Sequence, residues 1–293
     1  MPNLNTVAMS DRTATLNELL VAQNAGFTVE YSRVWKNNSE LEGYILRSES
    51  SNCSPTIYYN NDWYAKSDEE VVAYLDEMYK EHARSLDVSQ LTDAEYIKSH
   101  ILPKVVSCDN IPNLQERRIA FIQYLDMAVI FYVPVDEFTA TNELASVQVT
   151  EMLLATANIS IDEALELSIK NLESEVEIKT MAEIIFGDMG LEETDFGVPE
   201  IPMYVVSNHS RINGAASILC PSVRARLEDC IGGNVAILPS SIHECIAVPY
   251  NSDEELEMYR SMVSEVNSTT VEDKDKLTDS VYCFSGLELK QAV

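Results

Sequence analysis

Positive charge is scarce in this chain. Its 293 residues carry 20 Lys and Arg against 48 Asp and Glu, a net charge of −28. No Lys or Arg occurs between Arg118 and Lys170. A surface of that sign repels phosphate backbones and anionic lipids, so direct nucleic-acid binding or membrane binding through a basic patch is not expected. Long apolar runs are missing as well. The longest, Met127 to Val135, is about half of the ~20 residues that a bilayer-spanning helix needs. The opening MPNLNTVAMSDR has no basic region leading into an apolar stretch, the pattern of an export signal. The cysteines, Cys53, Cys108, Cys220, Cys230, Cys245 and Cys283, include no C-x-x-C pair, and their spacing suits no zinc ribbon. Free thiols in a chain without such a signal set the expectation of a cytoplasmic protein.

The standard catalytic templates are also missing. There is neither a G-x-G-x-x-G after a strand nor a G-x-x-x-x-G-K-[ST], so both common phosphate cradles are absent. His243 and Glu244 begin like a zincin helix, but position 247 is Ala, and the second metal-binding histidine is lost. Asp273 and Asp275 resemble the start of a calcium loop, which Leu277 and the missing glycine break. No serine sits in a G-x-S-x-G elbow. With four histidines in all, neither a metal site nor a cofactor is expected.

What remains is an ordinary globular composition, 46% hydrophobic and 23% charged. Residues 11–24 have helical spacing of Leu16, Leu19 and Leu20. FTVEYSRVW alternates as a strand, KNNSE makes a turn, and LEGYILR and PTIYYN supply partner strands. Ser67 with Glu70, Thr92 with Glu95 and Ser160 with Glu163 have capping-box spacing ahead of helices, and Ser252 with Glu255 caps a last one. RRIAFIQYLDMAVIFYVPV reads as two strands joined near Asp126, and Asn142 to Ala157 as a helix. VEIKTMAEIIF is ambiguous, GDMGLEETDFGVPEIP reads as an acidic loop, and MYVVSN as a strand. PSVRARLEDCIGG is a helix stopped by glycines, and NVAILP and ECIAVP are strands around a short loop. Grouped strands with helices between some of them imply an α+β (mixed α/β) protein with antiparallel or mixed sheets and flanking helices. Two subdomains are expected, over residues 1–110 and 111–280, followed by a tail at 281–293.

One constellation carries chemistry. The segment Pro239 to Glu244 joins two apolar strands and holds Ser240, Ser241, His243 and Glu244. A second polar cluster, with Asn208, Arg211 and Asn213, follows MYVVSN. If these strands are neighbours, both loops meet at one end of a sheet. A serine nucleophile, a His243 base, a Glu244 orienter and an anion donor from Arg211 or Asn213 then become conceivable. Against this, residues two apart on an extended strand lie about 7 Å apart, beyond hydrogen-bond reach. Ser241 and Glu244 equally suit a local side-chain-to-backbone turn. A further feature is charge: residues 111–200 hold 18 acidic and 4 basic side chains, which suits a solvated face, a basic partner or a mimic of DNA.

The stretch YVVSNHSRINGAASILCPSVRARLEDCIGGNVAILPSSIHECIAVP resembles an uncharacterised bacterial family, a domain of unknown function found mainly in Gram-positive anaerobes and their mobile elements. Two motifs carry the likeness. N-x-x-x-x-N-G-A falls on Asn208, Asn213, Gly214 and Ala215, and I-L-P-S-S-x-H-E on Ile237 to Ser241, His243 and Glu244. EVNSTTVEDKDKLTDSVY is similar to the family's close. The resemblance implies no activity. The leading expectation is a non-catalytic cytoplasmic binding or regulatory protein, whose partner is a protein or a small ligand. The alternatives are a hydrolase-like enzyme using the 239–244 loop and an acidic DNA-mimic inhibitor.

Overall fold

The structure, a computed structural model, describes residues 8–83, 85, 87–138, 143–189, 201–286 and 288–292. The chain forms two compact units, residues 1–87 and 88–293. In the first, α1 (Met9–Ala22) precedes a three-stranded sheet of β1 (Thr28–Lys36), β2 (Ser39–Arg47) and β3 (Thr56–Tyr58), and α2 (Asp68–His82) follows. The Asn37–Asn38 turn closes the β1–β2 hairpin, with Lys36 opposite Ser39. Asn38 there takes φ +56°, a conformation asparagine tolerates better than most residues. The full capping box at Ser67 and Glu70 starts α2. Leu16 and Leu20 of α1 and Val71, Val72 and Leu75 of α2 bury against Val29, Tyr44 and Leu46 of the sheet.

Arg12 pins this unit together. Its guanidinium is almost wholly buried and donates to Asp68 Oδ1 at 2.6 Å, the Trp63 carbonyl at 3.0 Å and the Lys66 carbonyl at 2.9 Å. One side chain thereby ties α1 to the turn that leads into α2. Only a planar fork of five donors serves all three acceptors at once.

The second unit contains α3 (Ala94–His100), β4 (Leu102–Ser107), α4 (Ile111–Glu116), β5 (Phe121–Tyr124), β6 (Met127–Phe138) and β7 (Glu143–Gln148). These strands form one antiparallel sheet, with β4 on one side of β6 and with β5 and β7 also paired to it. The chain continues through α5 (Glu151–Ala157), α6 (Ile161–Leu172), β8 (Val176–Thr180), α7 (Met181–Met189) and β9 (Tyr204–Asn208). A 3-10 segment at Gly214–Leu219 then leads to α8 (Pro221–Ile231), β10 (Val235–Pro239), β11 (Cys245–Pro249), α9 (Asp253–Thr269), β12 (Tyr282–Ser285) and β13 (Glu288–Gln291). The second sheet is also antiparallel, in the order β13-β12-β10-β11-β9-β8.

Period-two alternation distributes the core. Met127, Val129, Phe131 and Val133 of β6 face the main core, whereas Ala128 and Ile130 meet Val106, Leu114 and Ile119 on the opposite face. Likewise Val235 and Ile237 of β10 enter the main core, while Ala236 and Leu238 pack under Leu256, Tyr259 and Val263 of α9. At the chain's end, Asp126 accepts from Tyr282 Oη at 2.6 Å and from Ser280 Oγ at 2.8 Å, which fastens β12 to the β5–β6 turn.

The α+β class is as expected, and every pairing between these strands is antiparallel. Several local expectations need correction. The helix expected over 142–157 begins only at Glu151, capped by Thr150; Glu143–Gln148 is strand β7. The outer half of β6 lies beyond the reach of β5, and pairing with β7 satisfies its backbone groups. The cap of α3 is Asp93, not Thr92, whose hydroxyl donates to the Ser89 carbonyl instead. The ambiguous VEIKTMAEIIF is both strand β8 and the start of α7. Of the expected acidic loop, 187–189 belong to α7, and 190–200 lie outside the described residues. β4 pairs with β6 inside the second unit, and residues 282–285 and 288–291 are strands of its larger sheet.

Replacing Arg12 with Met should cost the first unit about 3 kcal/mol, because Asp68 and two carbonyls lose their donor. Urea denaturation checks this, with Arg12→Lys expected to recover only part of the loss.

Candidate functional site

The two polar loops do come together. β11 pairs with β9 through Cys245 and Val206, and with β10 through Cys245 and Pro239. The exits of β9 and β10 therefore share one sheet end with the entry of β11. Asn208, buried at the end of β9, folds the first loop back on itself. Its Nδ2 donates to the Ile212 carbonyl at 2.9 Å, and its Oδ1 accepts from Ile212 N at 3.2 Å and Ser210 Oγ at 3.1 Å. Arg211 is exposed at φ +54°, and its amide donates to the Asn208 carbonyl at 3.0 Å. Asn213 also takes the left-handed conformation, at φ +56°.

Gly214 then passes against the second loop. A Cβ there would lie 2.2 Å from Ser207 Oγ, 2.6 Å from the His243 carbonyl and 2.7 Å from Asn208 N. No side chain fits. The approach is held by Ser207 Oγ, which donates to the His243 carbonyl at 2.8 Å, and by Ser217 Oγ, which donates to the Ser207 carbonyl at 2.9 Å.

His243 is the hub of the second loop. Its Nδ1 accepts from the Asn213 amide at 3.2 Å, so the proton of the neutral ring sits on Nε2, which faces Asp275 Oδ1 at 3.5 Å. The Asp275 carbonyl in turn accepts from Ile242 N at 2.8 Å. Ser241 Oγ accepts from His243 N at 3.0 Å, and Ser241 N donates to the Glu244 carbonyl at 3.1 Å, the local turn its spacing suggests. Ser240 and Glu244 are half-buried. A nucleophilic triad needs one ring nitrogen on the nucleophile and the other on the carboxylate. Here a carboxylate flanks one nitrogen, and a backbone amide occupies the other. The described hydrogen bonds place no serine hydroxyl on the ring.

Sequence reasoning missed Ser207, Ser217, Asp275 and Tyr132. Tyr132, buried in β6, meets the Asn213 side chain at its hydroxyl; burial pushes its pKa up and that contact opposes the shift. Ser207, Ser217 and Tyr132 have no spacing signal, and the Asp273–Asp275 spacing suggested a calcium loop rather than a contact with His243, because strand pairing or a crossing segment brings each residue in. Ser207, Ser217 and Asp275 fall in the stretches that carry the family resemblance, and Tyr132 lies outside them.

The other candidates separate cleanly. Cys245 is wholly buried, which drives its thiol pKa up, and burial with the nearby Glu173 carboxylate raises that of Cys220 to about 12. Such thiols stay protonated and inert at neutral pH. No group of three or more His, Cys, Asp or Glu among the described residues is arranged to hold a metal ion, and none of the described helices is long and apolar enough to cross a membrane. The carboxylates between 119 and 169 do not share one element. Asp126 is bonded inward, Glu151 starts α5, and Asp162, Glu163 and Glu166 lie on α6, where Glu163 approaches Lys98 at 3.9 Å. The side chains of Asp136, Glu137 and Glu143 lie outside the described residues.

Fold and loops together define an antiparallel α+β protein whose polar sheet end is an interlocked latch. The chain matches, over residues 13–286, the model of a family of unknown function, DUF5688, and belongs to that family. No curated protein and no solved structure matches it.

Gly214→Ala should cost about 3 kcal/mol or more, since the clashing atoms include backbone that cannot step aside. His243→Ala should cost roughly 1–3 kcal/mol by leaving the Asn213 amide without its acceptor. Thermal and urea unfolding of the two variants check both values.

Proposed function

We propose that this protein is a non-catalytic binding protein. The observation that carries this reading is the engagement of both His243 nitrogens, by the Asn213 amide and by Asp275. Asn208, Asn213, Ser241 and His243 act as a latch that fixes the sheet end, and the surface of that end, with exposed Arg211, is offered to a partner. The partner is a protein or a small ligand rather than nucleic acid, since the net charge of −28 opposes a phosphate backbone. Unpaired cysteines support work in the reducing cytoplasm.

A panel of ester, peptide and phosphate substrates should give no turnover with the wild-type protein. Turnover that disappears in folded His243→Ala or Ser241→Ala protein would reverse the reading in favour of a hydrolase.

Thiol titration of protein isolated from cells under non-reducing conditions should count six free cysteines after unfolding. Before unfolding, exposed Cys230 should react first, and buried Cys220 and Cys245 last. Two or more intramolecular disulfides would contradict a cytoplasmic site of action.

A further inference from the structure

The second unit holds a cavity of about 200 Å³ beneath β5, β6 and α6. Its walls are set by pairing. Ile122 and Val129 are cross-strand partners in the β5–β6 hairpin, and Phe284 and Leu289 are cross-strand partners in β12–β13. Leu165 and Ile169, one helical turn apart on α6, form a third wall. Because strand partners share a face and residues four apart share a helix side, the register of these elements holds all three pairs toward one space.

Three polar side chains of the lining have partners. Cys220 Sγ donates to the Ile169 carbonyl at 3.8 Å, and the Leu289 backbone holds the Tyr124 hydroxyl. Arg224, the one charged residue of the lining, donates from Nε to Glu228 Oε1 at 2.6 Å, so its charge is met in place. A space with few open hydrogen-bonding groups holds water poorly, and an apolar cavity of about 150 Å³ is large enough for benzene.

We infer that this cavity is a binding site for a small uncharged apolar molecule, an aromatic ring or branched alkyl group of about seven to ten non-hydrogen atoms. The site goes beyond the binding reading above, since none of the sheet-end residues lines it. An anionic ligand is disfavoured, because Glu228 already holds Arg224 and the protein's net charge repels it.

Methyl-detected NMR of the full chain, titrated with toluene, tests the site. Toluene should shift the methyl signals of Ile122, Val129, Leu165, Ile169 and Leu289 in a saturable way, and leave those of the first unit, such as Leu16 and Leu75, in place. Benzoate should bind at least tenfold more weakly. Leu165→Phe, which fills the space, should abolish the toluene shifts while preserving the remaining spectrum. Cavity methyls that do not move at saturating toluene would overturn the site, whether or not the variant folds, as would shifts that persist in folded Leu165→Phe protein. Benzoate binding as tightly as toluene would overturn the ligand class. These readouts are independent of turnover, so loss of the cavity site and loss of the non-catalytic reading are separate results.

Discussion

The sheet end depends on one close approach, that of Gly214 to the loop between β10 and β11. A Cβ at this position would fall 2.2 Å from Ser207 Oγ and 2.6 Å from the His243 carbonyl. With only a hydrogen there, Ser207 Oγ reaches the His243 carbonyl, and the Asn213 amide reaches His243 Nδ1. The 3-10 segment that follows lies buried through Ile218 and delivers Cys220 and Pro221 to the start of α8. The motifs N-x-x-x-x-N-G-A and I-L-P-S-S-x-H-E are thus two halves of one joint. Their polar residues read as chemistry in isolation and serve as fasteners in place.

The fold was legible in the sequence where local signals and tertiary demands agree. The box at Ser67 and Glu70 starts α2, and Gly232 ends α8 at φ +75°. β6 and β10 show why apolar runs read as strands: each is buried on both faces, between the main core and a smaller one. Where tertiary demands override the local signal, the sequence misled. Residues 143–148 contain good helix formers, yet they pair with β6 because its outer half needs a backbone partner. β4 lies within the first 110 residues but belongs to the second unit, since Val105 and Val106 pair with Val129 and Ala128. Composition marks no break there.

The candidate site was legible as a place and not as a mechanism. Two polar loops flanking apolar strands pointed to a common sheet end, and the pairing of β9 with β11 put them there. Ring orientation at His243 has no sequence signal. It is set by Asn213, 30 residues earlier, and by Asp275, which a separate segment brings in. The cavity of the second unit was invisible for the same reason, since its lining residues come from four separate stretches of chain.

At this sheet end the polar groups of Asn208, Ser207, Ser217 and His243 are bonded within the protein. The central claim, that His243 is a fastener, turns on which nitrogen carries the ring proton. Nitrogen-15 NMR of the His243 imidazole measures this directly. The expected result is Nδ1 as a hydrogen-bond acceptor with a through-bond coupling to the Asn213 amide, and the ring proton on Nε2. A ring protonated on Nδ1, with no coupling to Asn213 and with Nε2 free to accept a serine proton, would contradict it.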